Sequence, residues 1–289
     1  MEFRLIASKI KAYGTLVMFS HTIFSLSFAV IAMLLAAGGI PEFSVLFWIG
    51  LCFMAARTGA NAINRVIDRK IDEKNPRTRN RQLPQGEMSG KEVVLFSTVC
   101  FIILLIGAYQ INMLAFYLSP LALFLLIIYS YTKRFTFLCH LVLGVTCACA
   151  PVGAWIAIRE SIGLIPLVMG AANTLWVAGF DIIYGSQDYE FDTKNGIYSI
   201  PAKFGVKNAL RISAGFHLIT LLLLGSLGIL LADFGWMYFL GLAIIAGLFI
   251  AEYRIISPTN LTNANIASYS INQLVSLTLL VFGSIDVFV

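Results

Sequence analysis

Apolar runs of roughly 20 residues, the length a bilayer-crossing helix needs, recur along the whole chain. They fall at about 14–37, 44–66, 92–109, 111–130, 137–157, 163–185, 209–231, 235–253 and 267–288. This pattern predicts an all-α, multi-pass membrane protein with nine transmembrane helices and one membrane domain over residues 1–289. Polar positions break the pattern in a regular way on two runs. On the second, Arg57, Asn61, Asn64, Asp68 and Asp72 follow one another at intervals of four, three, four and four residues. At about 100° per residue they share one narrow helical sector. On the sixth, Asp181, Tyr184, Asp188 and Asp192 fall within a sector of about 80°. Gly59, Ala60 and Ala62 sit among the first set, and small residues let a neighbouring helix come close.

The two polar stripes echo each other. Asn64-x3-Asp68-x3-Asp72 is followed by Glu-Lys-Asn, and 120 positions later Tyr184-x3-Asp188-x3-Asp192 is followed by Thr-Lys-Asn. The echo predicts two related halves, with the second and sixth spans corresponding.

Composition sharpens this. The chain is 59% hydrophobic and 12% charged, outside the range of soluble globular proteins. The first run follows a polar, basic segment and is too long for a signal-peptide core, so it is expected to be a retained span. With a cytoplasmic N-terminus, the loops near 70–91, 132–136, 186–208 and 254–266 share one side. Of the 20 Lys and Arg residues, Arg159 alone then falls on the other side, as the positive-inside rule requires. The net charge of +5 follows from these loops and gives no reason to expect nucleic-acid binding. The five cysteines lie inside spans without metal-ligand spacing and are expected to be packing residues.

Carboxylates at the ends of apolar helices are costly unless something neutralises them. Asn64, Asp68, Asp72, Asp188 and Asp192 are hard oxygen ligands of the kind magnesium takes together with phosphate oxygens and water; neither cluster holds imidazole or thiolate, which argues against zinc or iron. The loop after the first stripe carries Lys74, Arg77, Arg79 and Arg81, with no acid between Glu73 and Glu87. Arg77 and Arg81 are candidates for bidentate contact with a diphosphate. Lys133, Arg134 and Lys194 fit either a phosphate contact or a topology signal. His21, in the first span, is a candidate substrate contact or a packed polar residue.

These residues resemble the UbiA superfamily of intramembrane aromatic prenyltransferases, especially its 4-hydroxybenzoate polyprenyltransferase branch. The resemblance covers most of the chain. It rests on Asn64-Arg-Val-Ile-Asp68-Arg-Lys-Ile-Asp72, Asn75-Pro-Arg77-Thr with Arg81, Tyr131-Thr-Lys133-Arg134, and Asp181-Ile-Ile-Tyr184-Gly-Ser-Gln-Asp188-Tyr-Glu-Phe-Asp192. It implies nine helices around a central cavity under a cytoplasmic cap formed by the loops after the second and sixth spans. It implies magnesium-dependent transfer of a polyprenyl group from its diphosphate to a small aromatic acid in quinone biosynthesis, at a bacterial cytoplasmic (inner) membrane. Arg65 follows Asn64 where many members carry Asp, a form similar to members that prenylate a naphthoate in a menaquinone route.

On this reading Asn64, Asp68, Asp188 and Asp192, with Asp72 in support, hold magnesium. Arg77, Arg81, Lys133 and Lys194 bind diphosphate, and Asp68 and Asp188 are central to catalysis. Asp181 and Tyr184 are candidates to ionise or orient the acceptor, with Arg57 and His21 as acceptor contacts; a structural role for Arg57 is an equal alternative. A cation-coupled transporter would also combine intramembrane carboxylates with repeated halves, but its site belongs near the bilayer midplane and these acids gather at one boundary. A scaffold for a quinone-synthesis complex leaves the double motif unexplained.

Overall fold

The computed structural model describes residues 13–14, 16, 23–231 and 234–288; His21 lies outside them. The long elements are α1 (Ile23–Ala37), α2 (Phe43–Lys74), α3 (Gly90–Ile111), α4 (Met113–Thr132), α5 (Cys139–Arg159) and α6 (Leu164–Gly185). They are followed by α7 (Tyr189–Asn195), α8 (Ile200–Leu230), α9 (Trp236–Arg254) and α10 (Asn272–Phe288). Among the described residues eight helices are long and apolar enough to cross a membrane, and α1 is a shorter apolar helix whose span was expected to begin near residue 14. The chain divides into two compact units. The first comprises residues 1–22 and 47–131, and the second comprises residues 23–46 and 132–289.

In the first unit the small residues of α2 do what their spacing predicts. A Cβ at Gly59 would stand 2.7 Å from the Phe101 ring, so α3 lies directly on α2 there. Ser97 on α3 donates to the Gly59 carbonyl at 2.8 Å, and Tyr129 on α4 donates to the Ala60 carbonyl at 3.3 Å. The start of α3 is fixed by Ser89, whose hydroxyl accepts from the Glu92 amide at 3.1 Å, an N-cap that meets one of the orphan donors of the first turn. Glu92 in turn accepts from the Tyr13 hydroxyl at 2.8 Å. Leu83 and Met88, from the loop before α3, are buried against Leu16, Ala62 and Val93. That loop is therefore a folded structure, anchored by its own apolar residues.

The second unit packs α1 against α5 and α10, and α6 against α5 and α8. Contact is again set by small residues: a Cβ at Gly144 on α5 would fall on the Thr174 carbonyl of α6, and a Cβ at Gly179 on the His217 ring. A polar network runs through this apolar interior. Trp176 donates to Asn272 at 2.6 Å, Asn272 donates to Glu252 at 2.7 Å, and the other Glu252 oxygen lies 3.0 Å from His217 Nδ1. Tyr253 joins through its hydroxyl, 2.9 Å from His217 Nδ1 and 2.7 Å from Ser213 Oγ. Just before α10, Ile266–Ile271 forms a π-helical turn, and Asn272 donates to the Ala267 carbonyl at 3.0 Å. The Asn272 side chain thus serves both the turn and the network.

One boundary and one helical stripe differ from expectation. The span expected at about 209–231 is preceded by further helix from Ile200, and at Gly205 the backbone turns to φ +74°, a conformation that glycine takes without steric cost. The sixth span stops at Gly185, where a 3₁₀ turn, Ser186–Asp188, leads into α7. Ser186 donates its hydroxyl to the Ile182 carbonyl at 2.8 Å, a local bond that competes with regular helix at that point. Asp181, Tyr184, Asp188 and Asp192 therefore do not lie on one uninterrupted helix.

The close approach at Gly144 is directly testable. Gly144→Ala should lower stability in detergent by about 1–3 kcal/mol, the usual cost of forcing atoms into a filled contact. Gly153→Ala, where a Cβ meets nothing within 4 Å, should melt at or slightly above the wild-type temperature. Equal melting of the two variants would mean that α5 and α6 do not touch at Gly144.

Candidate functional site

The first acidic set sits on the last turns of α2. Asp68 is 2% exposed and Asp72 4%, so both are sheltered carboxylates. Asn64 donates its amide to Asp68 at 2.9 Å and to Ser130 of α4 at 3.1 Å. These bonds fix which way the amide points and leave its oxygen as the group that can bind a cation. Asp72 accepts from Arg81, whose Nη1 is 2.8 Å from each carboxylate oxygen. Arg65, the unusual residue of the motif, is buried and donates to the Leu16 carbonyl at 3.3 Å. It is held by packing away from water.

The loop after α2 is built to deliver Arg81. Asn75 is buried and its side-chain oxygen accepts from the Arg77 amide at 2.9 Å. Thr78, also buried, donates to the Asp72 carbonyl at 3.3 Å, and the Arg81 amide donates to the Thr78 carbonyl at 3.0 Å. Consecutive turns thereby bring Arg81 back over the carboxylate nine residues earlier. Arg77 is exposed at the surface of the same loop, while Arg57 and Asn61 lie half-buried further back along α2.

The second set spans the end of α6 and α7. Asp192 accepts from Ser199 at 2.9 Å, and Ser199 also caps α8 by accepting from the Ala202 amide at 3.2 Å. Asp188, Lys133 and His140 are all within electrostatic reach of Asp192. The Tyr198 amide donates to the Lys133 carbonyl at 2.8 Å, tying the segment after α7 to the short link before α5. Lys194 is exposed on α7. Tyr184 packs edge-on against Tyr269 of the π-helical turn, with ring centroids 4.9 Å apart. Asp181 meets a residue that sequence reasoning missed, His140, whose Nδ1 lies 2.7 Å from Asp181 Oδ2.

The donor sets fit a hard divalent cation. Among the described residues no three His, Cys, Asp or Glu side chains come together as a ready-made metal cluster. A cation held by Asn64 and Asp68, or by Asp188 and Asp192, would complete its shell with water and substrate oxygens, the habit of magnesium. The described cysteines are free thiols.

Residues 25–275 match the UbiA prenyltransferase family. The chain is 32% identical over 257 residues to a 4-hydroxybenzoate octaprenyltransferase of Francisella tularensis subsp. novicida, covering 88% of this chain and 89% of that one. It is also 32% identical to a 4-hydroxybenzoate octaprenyltransferase of Tolumonas auensis, over 85% of this chain and 83% of that one. Among solved structures, a UbiA homologue from Aeropyrum pernix superposes with a TM-score of 0.80 at 29% identity, over 92% of this chain and 98% of that one. A homologue from Archaeoglobus fulgidus bound to GPP and Mg2+ shares the fold at a TM-score of 0.69 and 21% identity, over 96% of this chain and 100% of that one. With more than two thirds of its length matched, this chain belongs to the UbiA prenyltransferase family and is a prenyl-transferring enzyme.

Proposed function

We propose that the chain transfers a polyprenyl group from polyprenyl diphosphate to a 4-hydroxybenzoate-type acceptor in quinone biosynthesis, as one membrane domain of two related halves. The observation that carries this reading is the sheltered ladder of Asn64, Asp68 and Asp72, closed by Arg81. A ladder of this kind suits a polyanion that arrives with a cation. The substrate named for the Francisella and Tolumonas relatives supports the acceptor class. A naphthoate acceptor is the second reading, favoured by Arg65 after Asn64; it would place the enzyme in a menaquinone route.

Asn64, Asp68, Asp188 and Asp192 would hold magnesium, with Asp72 in support. Bound there, the ion would supply positive charge against the diphosphate and so make it a better leaving group. Asp68 and Asp188 carry the largest share of this work. Arg81, preset by Asp72, adds fixed positive charge, together with Arg77, Lys133 and Lys194. Its contact is charge-assisted and directional. The apolar helices keep water from the allylic cation that develops as the diphosphate leaves. Asp181 and Tyr184 act on the acceptor, and Arg57 pairs with its carboxylate; His21 is a further acceptor contact. On this reading the N-terminus and the acidic sets face the cytoplasm at a bacterial inner membrane, an orientation supported by the side on which the basic loops fall.

Purified protein in detergent should consume a prenyl diphosphate in a magnesium-dependent manner. With 4-hydroxybenzoate and a naphthoate offered together, mass spectrometry should find the benzoate prenylated. Asp68→Ala and Asp188→Ala should each lower turnover by orders of magnitude while still inserting and purifying. Near-normal rates in either variant would refute the two-set site.

Arg81 and Asp192 should fail differently. Arg81→Ala should weaken use of the prenyl diphosphate by about 1.5–3 kcal/mol, the worth of one charge-assisted bond, and added magnesium should not restore it. Asp192→Asn keeps an oxygen ligand but loses charge, so high magnesium should relieve part of its defect. Initial rates across a magnesium titration decide this, and the opposite pattern of rescue would reverse the two roles.

Orientation is checked by thiol labelling in sealed vesicles. Cysteines placed at Asn80 and Asn195 should react from the cytoplasmic side and one at Ser161 from the opposite side; a reversed pattern would overturn the topology.

A further inference from the structure

Two buried histidines in the second unit have acidic partners, and the pairs differ in access. The His217–Glu252 pair is sealed, with side chains 2% and 0% exposed, inside the network that joins α6, α8, α9 and α10. The His140–Asp181 pair is asymmetric: the imidazole side chain is 6% exposed and the carboxylate 25%. One pair is closed to any substrate, and the other presents its acid.

The local sequence makes the second arrangement possible. His140 lies on the first turn of α5, and Asp181 lies four residues before Gly185, which ends α6. A Cβ at position 185 would stand 2.9 Å from His140 Cε1, so glycine there admits the ring. His140 Nε2 is buried and has no hydrogen-bond partner. A buried N–H without an acceptor is costly, and we assign the proton to Nδ1, where it is donated to Asp181 Oδ2. The imidazole then occupies one carboxylate oxygen and fixes the plane of the other. Asp192, of the second acidic set, lies within electrostatic reach of His140.

We propose that Asp181, oriented by His140, accepts the ring proton released in prenyl transfer. This rests on the aromatic-acceptor reading above. In that reaction the C–O bond to diphosphate breaks and its electron pair leaves with the diphosphate. The ring π electrons form the new C–C bond, which leaves a cationic ring with a tetrahedral carbon. Loss of the proton on that carbon to Asp181 returns the C–H electron pair to the ring and restores aromaticity. Asp181 is then a catalytic residue and His140 a positioning residue, because the imidazole acts only through the carboxylate it holds.

The test uses the full-length protein in detergent, geranyl diphosphate, and 4-hydroxybenzoate either unlabelled or deuterated at the ring carbons. In the wild type the proton leaves quickly after C–C bond formation, and deuteration should not change kcat. In Asp181→Asn the rate should fall by about 100-fold or more, the usual worth of a general base, and a normal primary isotope effect should appear because proton loss now limits turnover. His140→Leu should show the same isotope effect with a smaller loss. His140→Asn, which restores an N–H near the carboxylate, should recover most of the rate and suppress the effect.

A slow Asp181→Asn enzyme without an isotope effect, or one with an undiminished rate, overturns the proposal while leaving the prenyltransferase reading intact. A wild type that prenylates neither 4-hydroxybenzoate nor a naphthoate overturns both. Thermal melting reports whether each variant folds; should Asp181→Asn fail to fold, the isotope effects of the two His140 variants decide alone.

Discussion

The governing constraint is that a polar atom inside an apolar slab has to find its partner within the protein. Water is not there to take its place, and an unmatched group costs several kcal/mol. Each unit of this chain answers that constraint with short sets of side chains, and in the second unit the buried Asn173 amide and His140 Nε2 stand as exceptions. In the first, Asn64 binds Asp68 and Ser130, Arg81 binds Asp72, and Arg65 reaches a main-chain carbonyl. In the second, Trp176, Asn272, Glu252 and His217 form a chain of partners through the core.

These sets divide into two kinds. The Trp176–His217 network is wholly enclosed and ties four helices to one another. Removing one member would leave a buried polar group without its partner, a change that typically costs about 1–3 kcal/mol. The carboxylates at the helix ends are sheltered but not sealed off in the same way. Their partners among the described residues include hydroxyls, the Asn64 amide and the Arg81 guanidinium. Within the second unit the enclosed network gives rigidity.

The sequence exposed much of this and hid a definite remainder. Asn64, Asp68 and Asp72 are legible because a period of four on an unbroken helix translates directly into one face. The second set was harder: the 3₁₀ turn at Ser186–Asp188 interrupts the regular helix, and no periodicity reveals it. Pairings across helices were also hidden. Arg81 reaching back to Asp72 requires the turns begun by Asn75 and Thr78, and α1 packing with α5 and α10 concerns neighbours in space, which hydropathy does not encode. His140 and His217 could have been flagged, since an ionisable group within a span is a functional or pairing signal by default; their partners, Asp181 and Glu252, lie too far along the chain for spacing to connect them.

The π-helical turn at Ile266–Ile271 sets the rotation of everything after it. Such a turn amounts to one extra residue in an α-helix, and one residue corresponds to about 100° of rotation. Shortening the segment by a single residue would yield a more regular helix and swing Asn272 off Trp176 and Glu252. It would also move Ser276 away from Ser27, to which it donates at 2.9 Å, and Gly283 away from the Ile31 side chain it accommodates. Deletions and insertions here are therefore expected to be rarer than substitutions in the course of descent, because the count of residues, more than their identity, keeps the last helix in phase with the rest.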